Sequence, residues 1–157
     1  MLAIKRIEII TDWIKNYCDQ NNKSSLVIGI SGGIDSAVTS TLCARTGLNV
    51  IPVSMPILQH KKLQNRSLAH IYWLKNKFSN ITYTTTDLSG VFSEFKKTLG
   101  EFPSEHGLAN SQARLRMTTL YQIAAFYDGL VVGTGNKVED FGIGFYTKYG
   151  DGGVDIS

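Results

Sequence analysis

The sequence predicts an α/β fold in which a parallel β-sheet is covered by helices on both faces. Short apolar runs alternate with longer segments of helical periodicity, which is the pattern of repeated β–α units. The apolar runs, such as 26–30, lack alternating polar residues, as expected of strands buried on both faces. Right-handed crossovers bring the carboxyl ends of such strands to one edge of the sheet, where ligands bind in these folds.

The first three elements follow from apolar spacing. Residues 3–19 place isoleucines at helical intervals and predict a helix, which the polar turn 21–25 ends. The short apolar run 26–30 predicts a buried strand. Residues 34–45 predict a second helix that closes at Gly47, because glycine readily adopts the left-handed conformation that ends helices.

The middle of the chain repeats the same alternation. Residues 49–55 predict a second apolar strand, and a loop at 56–62 leads into a helix at 63–78. A third strand is predicted at 81–86, where β-branched residues are frequent. A helix at 88–99 follows.

The last third of the chain adds one more unit. Residues 100–107 predict a loop, and a long helix at 108–127 ends before Gly129. A fourth strand at 130–132 completes the predicted sheet. The glycine-rich segment 141–157 predicts irregular structure.

Composition limits the possible classes of protein. Of the 157 residues, 43% are hydrophobic and 18% are charged, so one soluble domain over residues 1–157 is expected. No apolar stretch reaches the ~20 residues of a membrane span, so we expect no membrane partner and a cytoplasmic location. Cys18 and Cys43 lack metal-ligand spacing and are expected to be free thiols. The net charge of +3 is too small to indicate a nucleic-acid partner.

The segment SGGIDS (31–36), after the first strand, has the composition of a phosphate site. Gly32 and Gly33 let an anion approach the backbone N–H groups, and the following helix points its positive end at the same spot. The two serines add hydroxyl donors. Asp35 would repel phosphate unless Mg²⁺ lay between them. The alternative is a plain strand–turn–helix in which Asp35 is a capping acid.

The pattern of this segment excludes two common nucleotide-binding motifs. It has no Gly-Lys-Ser/Thr and is therefore not a Walker A loop, and it lacks the third glycine of the dinucleotide fingerprint. It resembles the pyrophosphate loop of the ATP pyrophosphatases. In that superfamily the loop holds the β,γ-phosphates while an acceptor attacks the α-phosphorus.

Three later segments indicate which family of the ATP pyrophosphatase superfamily the sequence resembles. The segments ANSQARLRM (109–117), VVGTGNKVE (131–139) and GFYTKYGDGGVDIS (144–157) are similar to those of NAD synthetases, in the same order. The resemblance implies an adenine nucleotide alpha-hydrolase-like, Rossmann-like fold. It also implies that ATP adenylates the nicotinate carboxylate of deamido-NAD and that ammonia then displaces AMP.

The resemblance also assigns site residues. Those implied to bind the ATP phosphates are Gly29, Ile30, Ser31, Gly32, Gly33, Ile34, Asp35 and Ser36. Thr134 matches a further ATP contact, and Asp35 and Glu139 match Mg²⁺ ligands. Those that match contacts to deamido-NAD are Arg114, Lys148, Asp155 and Tyr17. The predicted catalytic residues are Asp35, Glu139 and Lys148.

Residue chemistry supports several of these assignments and leaves alternatives open. Arg114 and Arg116 do not share a helix face, so one can face a ligand while the other is solvated. Glu139 and Asp35 follow strand ends on one sheet edge and suit a metal pair, yet each alone suits a cap or a solvated acid. Lys148 suits a polyphosphate clamp or a mobile loop lysine. No role is assigned to the three histidines, which lack metal spacing and a paired nucleophile: His60, His70 and His106.

The resemblance also sets expectations for the whole protein. Family members continue beyond the point matching Ser157, so we expect the chain to lack the family's C-terminal part and to bind ATP while forming little NAD. No amidase segment precedes the first helix, so free ammonia is the expected nitrogen donor. A homodimer is expected, with an interface that includes residues 114–127. The alternatives are an ATP pyrophosphatase with another acceptor, or a non-catalytic ATP-binding module.

Overall fold

The computed structural model describes residues 2–58, 61–144 and 146–157. Gln59 and His60 of the predicted loop 56–62, and Phe145 of the glycine-rich segment, lie outside them. The elements are α1 Leu2–Gln20, β1 Ser25–Gly29, α2 Ile34–Arg45, β2 Asn49–Ser54, α3 Lys61–Lys77, β3 Thr84–Thr85, α4 Ser89–Thr98, α5 Glu105–Phe126, β4 Gly129–Val132 and a π-helical segment Val138–Ile143.

The four strands form one parallel sheet in the order β3-β2-β1-β4. Val27 in β1 pairs with Ile51 in β2 on one side and with Val131 in β4 on the other. All three side chains are fully buried. The predicted α/β class, with its parallel sheet, is therefore confirmed.

Alternate residues of the strands belong to two separate hydrophobic clusters, because successive side chains point to opposite faces of a sheet. Ile28 belongs to a cluster with Ile14 of α1, Cys43 of α2 and Ile71 of α3. Val27 belongs to the cluster formed with α4 and α5. Helices therefore cover both faces, as predicted.

The third strand is shorter than predicted. Only Thr84 and Thr85 form a ladder with β2, while Ile81 makes a single bridge to Val50. The amide of Asn80 donates to the carbonyl oxygens of Ala44 and Leu48, at 3.0 and 2.7 Å. The N–H of Val50 donates to the carbonyl of Asn80 and that of Thr82 to the carbonyl of Val50, both at 2.9 Å, so the pairing with β2 is interrupted between Ile81 and Thr84 rather than absent.

Two boundaries differ because of side-chain caps. The helix α5 begins at Glu105, inside the predicted loop 100–107, since Ser104 Oγ accepts a hydrogen bond from the N–H of Gly107 at 3.1 Å. The π-helical segment overlaps the region predicted to be irregular. There Asn136 Oδ1 accepts from the N–H groups of Val138 and Glu139 at 3.1 and 3.0 Å.

Both cysteines are buried free thiols, as predicted. Burial raises the pKa of Cys18 to about 11 and that of Cys43 to about 12. Such thiols are poor nucleophiles, because the thiolate is the reactive form. Within the described ranges, no helix combines the length and the apolar character that crossing a membrane requires.

Candidate active site

A cavity of about 300 Å³ opens at the carboxyl edge of the sheet. Its walls include the chain that leaves β1 at Gly29, Ile30 and Ser31, the end of β2 at Ser54, and Thr134 beyond β4. The strand β1 lies between β2 and β4, so the chain leaves the centre of the sheet in both directions at this point. Such a switch point is where open α/β sheets bind ligands.

The loop and first turn after β1 present several unpaired backbone donors. Among the described residues, no group accepts a hydrogen bond from the N–H of Ser31, Gly32, Ile34, Asp35 or Ser36. Gly32 has φ +87°, a conformation that favours glycine. We call residues 31–36 the phosphate cradle, because donors that converge at a helix N-terminus suit a polyanion.

The two hydroxyls of the cradle bond within it rather than pointing out as free donors. Ser31 Oγ accepts from the N–H of Gly33 at 3.2 Å and lies 3.1 Å from Ser36 Oγ, which donates to the carbonyl of Gly33 at 3.0 Å. Ser36 is buried. The composition of SGGIDS predicted hydroxyl donors from both serines. In this structure the free donors are backbone N–H groups, which the serines hold in place.

Asp35 lies in the first turn of α2. The N-cap residue of this helix is Gly33, and no side chain makes a capping hydrogen bond at this end. No described donor hydrogen-bonds to the Asp35 carboxylate, so the hydrogen-bonded form of the capping alternative is not found. Glu139 is exposed in the π-helical segment. The described residues contain no cluster of three or more metal-ligating side chains. A Mg²⁺ held by one or two carboxylates and completed by phosphate oxygens and water fits this donor set.

The structure brings one arginine into the cavity that the sequence analysis did not assign. Arg116 on α5 lines the cavity, and its Nε donates to the carbonyl of Met55 at 3.1 Å. Its Nη2 is buried and has no hydrogen-bond partner among the described residues. Burial lowers the pKa of this guanidinium. Arg116 as a whole is half-buried, but a buried N–H donor without a partner is unfavourable, so a ligand oxygen near Nη2 would be preferred. The only indication of this in the sequence was the two-residue spacing of Arg116 from Arg114, which lets one of the two arginines face a ligand.

The residues predicted to contact deamido-NAD do not line the cavity. Arg114 is exposed and its Nε donates to the carbonyl of Lys148 at 3.0 Å, which brings these two together. Asp155 supports β4, since Oδ2 accepts from the N–H of Val131 at 2.8 Å and Oδ1 from Tyr121 at 3.1 Å. Tyr17 packs against the cluster on the opposite face of the sheet. Their ligand roles stay predictions.

Comparison with known proteins identifies the family. A family model described as NAD synthase matches residues 6–157. The chain belongs to the NAD synthase family. This confirms the resemblance inferred from the sequence motifs, and it places the cavity and the cradle in a family of known chemistry.

Curated relatives of the NAD synthase family are longer than this chain. The NH(3)-dependent NAD(+) synthetase of Methanosarcina acetivorans is 40% identical over 153 residues, which cover 94% of this chain and 57% of the relative. That of Mycoplasmopsis pulmonis is 36% identical over 148 residues, covering 94% and 55%. The chain therefore spans a little over half the length of these two NAD synthetases.

Solved structures of the family share the fold closely. The NMN synthetase from Francisella tularensis is 33% identical with a TM-score of 0.89, covering 97% of this chain and 62% of that one. The NH3-dependent NAD synthetase from Campylobacter jejuni, in complex with the nitrate ion, is 33% identical with a TM-score of 0.86, covering 97% and 64%.

Proposed function

We propose that this NAD synthase family protein amidates deamido-NAD with ammonia, at the expense of ATP, to give NAD, AMP and pyrophosphate. The observation that carries the proposal is the phosphate cradle beside the cavity, in a chain whose family is known. The unpaired N–H groups of the cradle suit the β,γ-phosphates of ATP. The partly apolar cavity, with Met55, Met117 and Leu120 on its walls, suits the adenosine part.

The proposed reaction has two steps. A carboxylate oxygen of the nicotinate ring attacks the α-phosphorus, and the bond from that phosphorus to pyrophosphate breaks. Ammonia then attacks the carbonyl carbon of the acyl-adenylate, AMP leaves, and the nitrogen loses a proton. The protein contributes mainly positioning and charge neutralisation, through the cradle and the guanidinium of Arg116.

In this proposal Asp35 and Glu139 hold Mg²⁺ together with the phosphate oxygens. The cation would supply charge neutralisation on the polyphosphate. Asp35 is suited to this role because it belongs to the cradle, in the first turn of α2, and its carboxylate accepts from no described donor. Arg114, Lys148, Asp155 and Tyr17 form the proposed surface for deamido-NAD.

We also propose a homodimer, which the exposed apolar side chains of two helices support. Ile4 and Trp13 on α1 are 61% and 51% exposed, and Phe126 at the end of α5 is 79% exposed. The two helices cover opposite faces of the sheet, and large exposed apolar side chains such as these suit a protein interface. The single domain over 1–157 and the cytoplasmic location stay predictions.

A product assay tests the proposed function. The protein is incubated with Mg²⁺, ATP, deamido-NAD and ammonium, and pyrophosphate, the acyl-adenylate and NAD are followed by mass spectrometry. Pyrophosphate release that depends on deamido-NAD is expected, with the small yield of NAD that the sequence predicts for this chain. Adenylation of another acceptor would indicate a different ATP pyrophosphatase, and ATP binding without any adenylate would indicate a non-catalytic module.

One observation favours a second candidate acceptor. The Francisella tularensis relative is named an NMN synthetase. The same chemistry on nicotinate mononucleotide would give NMN here. Comparing kcat/KM for nicotinate mononucleotide and for deamido-NAD under identical conditions distinguishes the two acceptors.

A further inference from the structure

Helix α3 makes two polar contacts to the ends of the phosphate cradle, and neither was predicted. Ser67 Oγ donates to the carbonyl of Ile30, immediately before the cradle, at 2.8 Å. His70 Nε2 lies 2.8 Å from Ser40 Oγ. Ser40 Oγ in turn donates to the carbonyl of Ser36, the last residue of the cradle, at 2.7 Å. One helix therefore contacts the chain both before and after the cradle.

The contact at Ile30 constrains the direction of a cradle donor. In a planar trans peptide the C=O and the following N–H point in opposite directions. A carbonyl of Ile30 held toward α3 therefore turns the N–H of Ser31 away from α3. The Ile30 N–H is also bonded, to the carbonyl of Val53 in β2 at 2.9 Å, so Ile30 is held on both sides. Ser67 is buried and also lies 3.1 Å from Ser54 Oγ.

The backbone of α3 also packs directly against the cradle. A Cβ at Gly32 would lie 2.9 Å from the carbonyl oxygen of Leu63 and 3.2 Å from the backbone nitrogen of Ser67. Any side chain at Gly32 would therefore push the helix and the loop apart. This close approach is a second reason, besides its positive φ, why the loop has glycine at this position.

The contact of His70 with Ser40 reaches the C-terminal end of the cradle, at Ser36. Ser40 Oγ and His70 Nε2 share one hydrogen bond, whose donor depends on the tautomer of the ring. Ser40 is fully buried, which excludes it as a nucleophile for a substrate. Ser67 and His70 are three residues apart, about 4.5 Å along the helix axis. The spacing of the two contacts is therefore set by one turn of α3.

We propose that Ser67 and His70 are positioning residues that hold the phosphate cradle in its polyphosphate-binding geometry. The inference rests on the proposed function only for the identity of the bound group, the polyphosphate of ATP. Neither side chain needs to touch the nucleotide. Their effect is on the direction and spacing of the backbone donors.

The test uses variants of both residues and two readouts. Ser67→Ala and His70→Leu each remove one contact, and His70→Gln retains an N–H donor. Ser93→Ala is the matched control, because Ser93 Oγ makes a 2.8 Å bond to a helix carbonyl on exposed α4. Ile14→Val controls for a loss of stability in the core on α1. The readouts are amide hydrogen exchange without ligand at Ile30, Gly33 and Ala37, whose N–H groups are hydrogen-bonded, and the Kd of Mg·ATP by calorimetry.

We expect Ser67→Ala and His70→Leu to speed exchange of these hydrogen-bonded amides and to raise the Kd of Mg·ATP about tenfold, the effect of ~1.4 kcal/mol. His70→Gln, Ser93→Ala and Ile14→Val are expected to stay within twofold. Cradle exchange and Kd within twofold of wild type in either Ser67→Ala or His70→Leu would overturn the proposal. If the wild type binds no Mg·ATP, the proposed function fails, and the exchange readout still decides whether α3 holds the cradle.

Discussion

At the scale of single residues, the side chains of Asp35 and Arg116 are expected to matter more for ligand binding than for folding. The Asp35 carboxylate, in the first turn of α2, accepts from no described donor, and Arg116 carries a buried guanidinium nitrogen without a described partner. The negative charge of Asp35 at the helix N-terminus is mildly favourable for folding, and both groups suit the proposed binding of Mg·ATP. Substitution of either residue is therefore expected to affect binding or turnover far more than stability.

For Asp35 we expect Asp35→Asn to retain the melting temperature and to lower turnover roughly a hundredfold or more, equivalent to ~2.7 kcal/mol. The reason is the loss of the negative charge that holds the cation. Glu139→Gln should behave alike, and the double variant should lose less than the sum of the two effects, since both serve one site. Pyrophosphate release against Mg²⁺ concentration measures this. Wild-type rates in Asp35→Asn, or a melting temperature that falls with the activity, would return Asp35 to a structural role.

For Arg116 we expect Arg116→Met to raise the Kd of Mg·ATP at least tenfold while changing the free energy of unfolding by less than about 1 kcal/mol. Arg116 is half-buried, and an apolar side chain of similar length loses little more than its single described hydrogen bond, to the carbonyl of Met55. Calorimetry and urea unfolding measure the two quantities. Arg114→Met is the control, because Arg114 is exposed and outside the cavity. Equal ATP affinities of Arg116→Met and wild type would show that the guanidinium faces no nucleotide.

At the scale of elements, the sequence predicted those features that depend on residues close together in the chain. The apolar strands 26–30 and 49–55 and the glycine-rich cradle were predicted because burial and loop geometry leave direct marks in the sequence. The extent of β3 and the contacts of His70 were missed because they depend on residues distant in the chain, such as Ser40. Arg116 was missed for the same reason, since only the packing of α5 shows which arginine faces the cavity.

The histidine of α3 predicts a pH dependence of stability. Burial lowers the pKa of His70 in the folded state. Below about pH 6.5 the unfolded chain therefore binds a proton more readily than the folded chain, and the free energy of unfolding should fall as the pH falls. His70→Gln should flatten this dependence between pH 7 and 5. Urea unfolding at each pH measures it, and parallel curves for His70→Gln and wild type would contradict the assignment.

At the scale of the whole molecule, the exposed apolar surfaces predict the assembly. Phe126 is 79% exposed at the end of α5 and contacts Tyr127 edge-on at 5.0 Å, whereas Phe102 is 73% exposed outside that helix. Light scattering should show a dimer for wild type and for Phe102→Lys, and a monomer for Phe126→Lys. Only monomer for the wild type at micromolar concentration would contradict the proposed dimer.

The central claim is that the cradle and cavity together direct a carboxylate oxygen onto the α-phosphorus of ATP. Deamido-NAD labelled with ¹⁸O in its nicotinate carboxylate tests this most directly, because that oxygen leaves with AMP when ammonia attacks the carbonyl. The account predicts one ¹⁸O in the phosphate of each AMP released with NAD. AMP without label, formed in step with NAD, would contradict it.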